Sequence, residues 1–135
     1  MSNNLLKKHA KSFYWASFFL PKETFSKCSS LYNFCRTLDD IVDDDNKLQI
    51  KKDNFSKFKK DFINKNFNNP IIKEMWFIIN SEKISEKVVT DLFEGVETDL
   101  EEKVQINSKK ELLVYSYRVA GTVGLMMSKI LIIKL

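Results

Sequence analysis

Asp39, Asp40, Asp43 and Asp44 form two pairs of carboxylates four residues apart inside the stretch LYNFCRTLDDIVDDD, residues 31–45. If that stretch is helical, each pair presents its acids on one face about 6 Å apart, where like charges repel by roughly 0.3 kcal/mol. A hard divalent cation, or a substrate that carries one, turns that repulsion into coordination. Arg36 lies one turn before the first acids. Its guanidinium can steady them or grip a phosphate oxygen through two hydrogen bonds, which a lysine does less well.

Simpler accounts of the acids fit less well. Acids at a helix C-terminus oppose the macrodipole, and the residues between them here, Ile41 and Val42, are apolar. A calcium loop of the EF-hand kind needs alternating oxygen ligands around a central glycine and a closing glutamate, and Asp43, Asp45 and Lys47 break that spacing. Leu31, Phe34, Leu38, Ile41 and Val42 keep a helical period up to the acids. The expected arrangement is a buried helix with acids on its cavity face.

The elements that must position this helix follow from the apolar pattern. A first helix over 5–20 places Leu5, Leu6, His9, Phe13, Ala16 and Leu20 near one face, and Pro21 closes it. The acid-bearing helix runs from 22 to about 44, a polar loop covers 45–49, and an amphipathic helix over 52–67 buries Phe55, Phe58, Phe62 and Ile63 before Asn68, Asn69 and Pro70 end it. A short helix over 71–80 and a longer one over 85–104 follow, the latter with the stripe Val89, Leu92, Val96 and Leu100. Glu94, Glu97, Asp99, Glu101 and Glu102 read as its solvated face. Ser108 and Glu111 form a capping box that opens a last helix. Its apolar run is interrupted by Arg118 and Lys129, which leave only ten uncharged residues between them, too few to cross a bilayer. Gly121 and Gly124 each cost about 1 kcal/mol inside a helix relative to alanine, so a neighbouring helix or an apolar substrate tail is expected close to the backbone there.

Composition bounds the class. With 135 residues, 44% of them hydrophobic, the chain can bury the core of one domain, and three glycines with two prolines leave few turn signals for a hairpin-rich sheet. The expected class is all-α. The net charge of +4 comes mostly from lysines spread along amphipathic segments, with two arginines and no nucleic-acid-binding motif, so a nucleic-acid partner is not expected and a weak attraction to an anionic membrane surface is. Cys28 and Cys35 lie seven apart, about 10.5 Å along a helix and beyond disulfide reach, so they read as reduced, packed thiols. No secretory signal is visible. The expected location is the cytoplasm, with peripheral membrane contact at most.

Three segments in this order, HAKSF, YNFCRTLDDIVDD and YRVAGTVG, together resemble the squalene/phytoene synthase family, and LFEGVETDL is similar to the segment that precedes the glycine-bearing helix in phytoene-type members. The resemblance implies an all-α isoprenoid (terpenoid) synthase-type helical bundle. It also implies head-to-head condensation of two prenyl diphosphates, farnesyl or geranylgeranyl diphosphate, of the kind that opens carotenoid or hopanoid biosynthesis, with Mg2+ holding the diphosphates. Residue by residue, it implies that Asp39 and Asp43 hold the metal and Arg36 binds diphosphate oxygens. His9, Ala10, Lys11, Ser12 and Phe13 would line the same pocket, and Phe13, Tyr32 and Tyr117 would flank the carbocation. Val119, Ala120, Gly121, Val123 and Gly124 would line the apolar tail channel. Members of the family are about twice as long and carry a second aspartate-rich motif on a later helix. The chain therefore reads as the N-terminal part, 1–135, of such a domain, truncated to its N-terminal helices or paired with a separately encoded C-terminal half. The alternative from another class is a noncatalytic helical module that binds a prenyl lipid or a partner subunit.

Overall fold

The computed structural model describes residues 20–100 and 108–132, and among these every regular element is a helix. They are α1 (Lys22–Asp43), α2 (Leu48–Ile63), α3 (Pro70–Ser81), α4 (Glu86–Asp99), α5 (Lys109–Ser116), a π-helical turn (Tyr117–Gly121) and α6 (Thr122–Ile132). The expected helix over 5–20 lies outside the described residues apart from Leu20. The all-α expectation holds.

Side-chain caps set three of the helix starts. The Asn69 carboxamide accepts from the backbone N–H groups of Ile71 and Ile72, at 2.9 and 3.4 Å, with Pro70 as the first helical residue of α3. Ser85 accepts from the Lys87 N–H at 3.2 Å to open α4, and Ser108 accepts from the Glu111 N–H at 3.1 Å to open α5, the capping contact expected there.

The helix expected over 52–67 instead spans 48–63. Its first turn, Leu48 to Lys51, leaves Gln49 and Ile50 exposed and buries no residue, so it lies outside the apolar stripe that marks the rest of the helix. It stops where Lys65 takes a left-handed backbone with φ 54°, its N–H bonding to the Phe62 carbonyl and that of Asn66 to the Asp61 carbonyl. Ile63, expected in the core, is 62% exposed, because it falls at the edge of the stripe that Phe55, Phe58 and Phe62 bury.

α1 is the hub, packed against α2, α3, α4 and α6. Phe34 reaches inward from it to the rings of Phe58, Phe62 and Phe93 at centroid distances of 5.8, 5.5 and 5.8 Å, the last edge-on. Trp76 of α3 stacks on Phe62 at 4.8 Å and donates its indole N–H to the Phe62 carbonyl at 2.9 Å, so the aromatic core also ties down the end of α2. Val89, Leu92, Val96 and Leu100 are all buried as their spacing requires. Cys28 and Cys35 are buried free thiols, and burial pushes the Cys35 thiol up to about 12. They are packing residues.

Of the two neighbours expected at Gly121 and Gly124, a helix or an apolar substrate tail, the helix is not found there among the described residues. A Cβ at Gly124 would meet no atom within 4 Å, and one at Gly121 would meet the ring of Tyr117 from its own helix at 3.1 Å. The crowded glycine is Gly95 of α4, where a Cβ would lie 2.7 Å from the Arg118 Cβ and 2.9 Å from a Val119 methyl. It lets α4 and the π-helical turn cross in backbone contact. Gly95→Ala is accordingly expected to destabilise the fold by about 1–3 kcal/mol through forced separation of the two elements. Gly124→Ala should stabilise it by up to about 1 kcal/mol, since it removes a helix-interior glycine and meets nothing. Urea unfolding of the two variants, compared at constant slope, reads both.

Candidate active site

α1 carries Tyr32, Arg36, Asp39 and Asp43 within one 100° sector, as successive steps of about 100° per residue dictate. The structure grades that sector from buried to exposed. Asp39 is 1% exposed, Tyr32 is half-buried, and Arg36 and Asp43 are open to solvent. The two acids expected to converge thus differ in depth, Asp39 buried and Asp43 open to solvent. Arg36 leans toward Asp40, its Nε 3.9 Å from the carboxylate, with both side chains about half exposed at 45 and 54%. A contact that long and wet holds the guanidinium loosely and leaves it able to turn to another anion.

Asp39 is the unusual group. Both of its carboxylate oxygens are buried without a hydrogen-bond donor among the described residues. Burial is the main cause that raises its carboxyl from the ordinary 3.8 to about 7, and the negative charges of Asp43 and Asp40 add to it. A buried carboxylate with open lone pairs calls for a proton or a cation. No group of three or more potential metal ligands gathers among the described residues. Two carboxylates are nonetheless a donor set that suits Mg2+, which is commonly held by one or two acids with water and phosphate oxygens completing its shell.

On the last helical segment the structure adds groups that sequence reasoning passed over. The Tyr117 hydroxyl donates to the Asp91 carboxylate of α4 at 3.0 Å, which holds the phenol above its usual ionisation range. Lys87 pairs with the same carboxylate at 3.2 Å, and Arg118 pairs with Glu94 at 3.4 Å. Asp91 is 8% exposed. The acidic face expected on α4 is solvated at Glu94 and Glu97, the latter 3.6 Å from Lys59, while Asp91, which was not among the acids expected there, is buried. Asp91 sits one residue before the LFEGV run, and nothing in its local pattern separates it from the exposed acids.

Val119, Gly121 and Val123 are partly buried, while Ala120 and Gly124 are exposed, so these residues form an open apolar strip continuing into Leu125 at 49% exposure. His9, Ala10, Lys11, Ser12 and Phe13 lie outside the described residues. Among the described residues no helix is long and apolar enough to cross a membrane.

The family model of squalene/phytoene synthase matches residues 6–134. The chain belongs to the squalene/phytoene synthase family. It is 30% identical over 141 residues to a bifunctional lycopene cyclase/phytoene synthase of Pyrenophora tritici-repentis, covering 91% of this chain and 24% of that protein. It is 28% identical over 153 residues to the bifunctional lycopene cyclase/phytoene synthase of Blakeslea trispora, covering 98% and 25%, and 30% identical over 125 residues to the chloroplastic phytoene synthase 1 of Zea mays, covering 90% and 30%. The chain thus spans roughly a quarter to a third of the length of these relatives. No solved structure matches it.

Because the fold raises the Asp39 pKa, folding takes up a proton there between pH 3.8 and about 7. The contribution of Asp39 to stability is therefore most favourable below 3.8 and declines as pH rises to about 7, beyond which it is flat. Asp39→Asn should remove this decline, raising stability at pH 8 by at most about 4 kcal/mol and changing little near pH 4. Chemical denaturation of both proteins across that range is the measurement, and equal pH profiles would show that Asp39 is not desolvated as described.

Proposed function

We propose that this chain forms one wall of a squalene/phytoene synthase-type site in which two prenyl diphosphates condense head to head. The observation that carries the proposal is the buried Asp39 carboxylate, without a hydrogen-bond donor among the described residues and followed one turn later by exposed Asp43, inside a region matched by the family model. Asp39 and Asp43 would hold Mg2+, which when bound neutralises a diphosphate and makes it a better leaving group. Arg36 would move from its loose contact with Asp40 to a diphosphate oxygen, where a planar fork of donors binds more strongly than it does to a wet surface acid. His9, Ala10, Lys11 and Ser12 would complete the diphosphate pocket. Phe13, Tyr32 and Tyr117 would offer ring faces to positive charge, while Val119, Ala120, Gly121, Val123 and Gly124 receive the isoprenoid tail.

A second reading is that the chain binds a prenyl diphosphate without turning it over, which the acid pair Asp39 and Asp43 of α1, with Arg36 beside it, supports. One acidic cluster can counter one diphosphate, and ionisation of a leaving group needs charge stabilisation on more than one side. The two readings separate in one experiment. The 135-residue chain is titrated with farnesyl and geranylgeranyl thiodiphosphate in Mg2+, then assayed with the natural diphosphates alone and with a separately supplied C-terminal half of a family member. We expect Mg2+-dependent binding that weakens about tenfold or more in Asp39→Ala and Asp43→Ala, and product only from the mixture. Binding that ignores both substitutions and a chelator would remove the proposed site, and product from the chain by itself would overturn the need for a second half.

A further inference from the structure

The π-helical turn at Tyr117–Gly121 needs an explanation that its own sequence does not supply. The Thr122 N–H bonds to the Tyr117 carbonyl, five residues back. The Thr122 hydroxyl, fully buried, donates at 2.8 Å to the Arg118 carbonyl, which is the acceptor its own N–H would use in an α-helix. Such a turn holds one residue more than α-helical geometry does, is rare, and needs outside support. It also swings every later side chain by about 100° relative to the helix before it. The orientation of the strip from Val119 to Gly124 is therefore set by whatever holds the turn.

α4 supplies that support from three consecutive contact points. Asp91 accepts from the Tyr117 hydroxyl at 3.0 Å, Glu94 pairs with Arg118 at 3.4 Å, and Gly95 admits the backbone of Arg118 and the side chain of Val119. Only Asp91 among the two acids is buried, and the Lys87 ammonium lies 3.2 Å from its carboxylate. Gly121 contributes by having no side chain where the Tyr117 ring lies, 3.1 Å from the position a Cβ would take. The ring is thereby folded back along its own helix so that its hydroxyl reaches across to α4.

We propose that Asp91 is a positioning residue for the prenyl site: by holding the Tyr117 hydroxyl it fixes the π-helical turn and hence the direction in which Val119, Ala120, Val123 and Gly124 meet an isoprenoid tail. Asp91 touches no substrate in this account. It acts through Tyr117, and the part of the proposal that concerns the tail rests on the prenyl diphosphate reading above. The elevated phenol ionisation of Tyr117 agrees with an anionic acceptor at that distance.

The test compares Asp91→Asn and Asp91→Leu with the unmodified chain in three readouts. The first is titration of the Tyr117 ring resonance, identified by its loss in Tyr117→Phe. The second is amide hydrogen exchange of residues 117–123. The third is affinity for geranylgeranyl thiodiphosphate in Mg2+. Asp91→Asn, which keeps an acceptor of the same shape and guards against a variant that fails to fold, should let Tyr117 ionise at lower pH and keep most of the exchange protection. Asp91→Leu should speed exchange in the turn and weaken the prenyl ligand, each by about tenfold. An unchanged phenol titration in Asp91→Asn, or unchanged exchange in Asp91→Leu, would overturn the anchor. Faster exchange with unaltered affinity would overturn its role in positioning the tail. If the unmodified chain binds no prenyl diphosphate, the functional reading falls, and titration and exchange still decide whether Asp91 holds the turn.

Discussion

A helix packed on by four others cannot keep its polar side chains in water, and α1 solves that constraint differently at its two ends. Near its start, Lys27 is buried but hydrogen-bonds to buried Glu82 of the α3 terminus and lies 3.4 Å from Glu23 on its own helix. The ion pair raises the Lys27 pKa against the opposing effect of burial, so that end of α1 is electrically closed. Near its other end Asp39 is more deeply buried, and neither of its carboxylate oxygens meets a hydrogen-bond donor among the described residues. Removing either partner of the first pair would leave a lone buried charge.

This asymmetry explains why the acid-bearing stretch was legible in the sequence. Leu31, Phe34 and Leu38 fix which side of α1 faces the aromatic core, and the same 3.6-residue period places Tyr32, Asp39 and Asp43 together on the neighbouring sector. The buried stripe of α4 and the capping of α5 were legible for the same reason, since each depends on residues a few positions apart. What the period does not give is depth. It made Asp39 and Asp43 equivalent, whereas the fold buries one and exposes the other.

Features that depend on two distant segments were not legible. Gly95 lies in an ordinary helical pattern, and its need for a missing side chain comes from Arg118 and Val119, more than twenty residues later. Gly121 and Gly124 drew attention by their type, but the first makes room for a ring of its own helix and the second faces open space. Asp91 was not singled out in the sequence, and its partner Tyr117 lies beyond a segment outside the described residues. The π-helical turn had one local sign, Thr122, whose hydroxyl can stand in for a displaced backbone donor. Thr122 reads in sequence as a residue with modest helix propensity and nothing more.

The two halves of the candidate site are organised by opposite physics, and this accounts for the surface of the C-terminal helices. Under the proposed reading a diphosphate would be recognised by charge, through a cation held at buried Asp39 and through the solvent-open guanidinium of Arg36. An isoprenoid tail offers no polar group, so its wall must be apolar and accessible at once. Leu112, Leu113 and Val114 of α5, 48, 70 and 40% exposed, together with Tyr117 and Leu125, would meet that requirement under the proposed reading, while Met126 and Ile130 on the other side of α6 are buried in the core. Such residues would be a liability on a freestanding helix. Here the π-helical turn, braced from α4, separates the exposed apolar side from the buried one by rotating the helix after Tyr117, so that the same segment contributes a core face and an open wall. The support under the wall is polar, the wall itself is not, and Tyr117 joins the two by presenting a ring on one side and a hydrogen-bonded hydroxyl on the other.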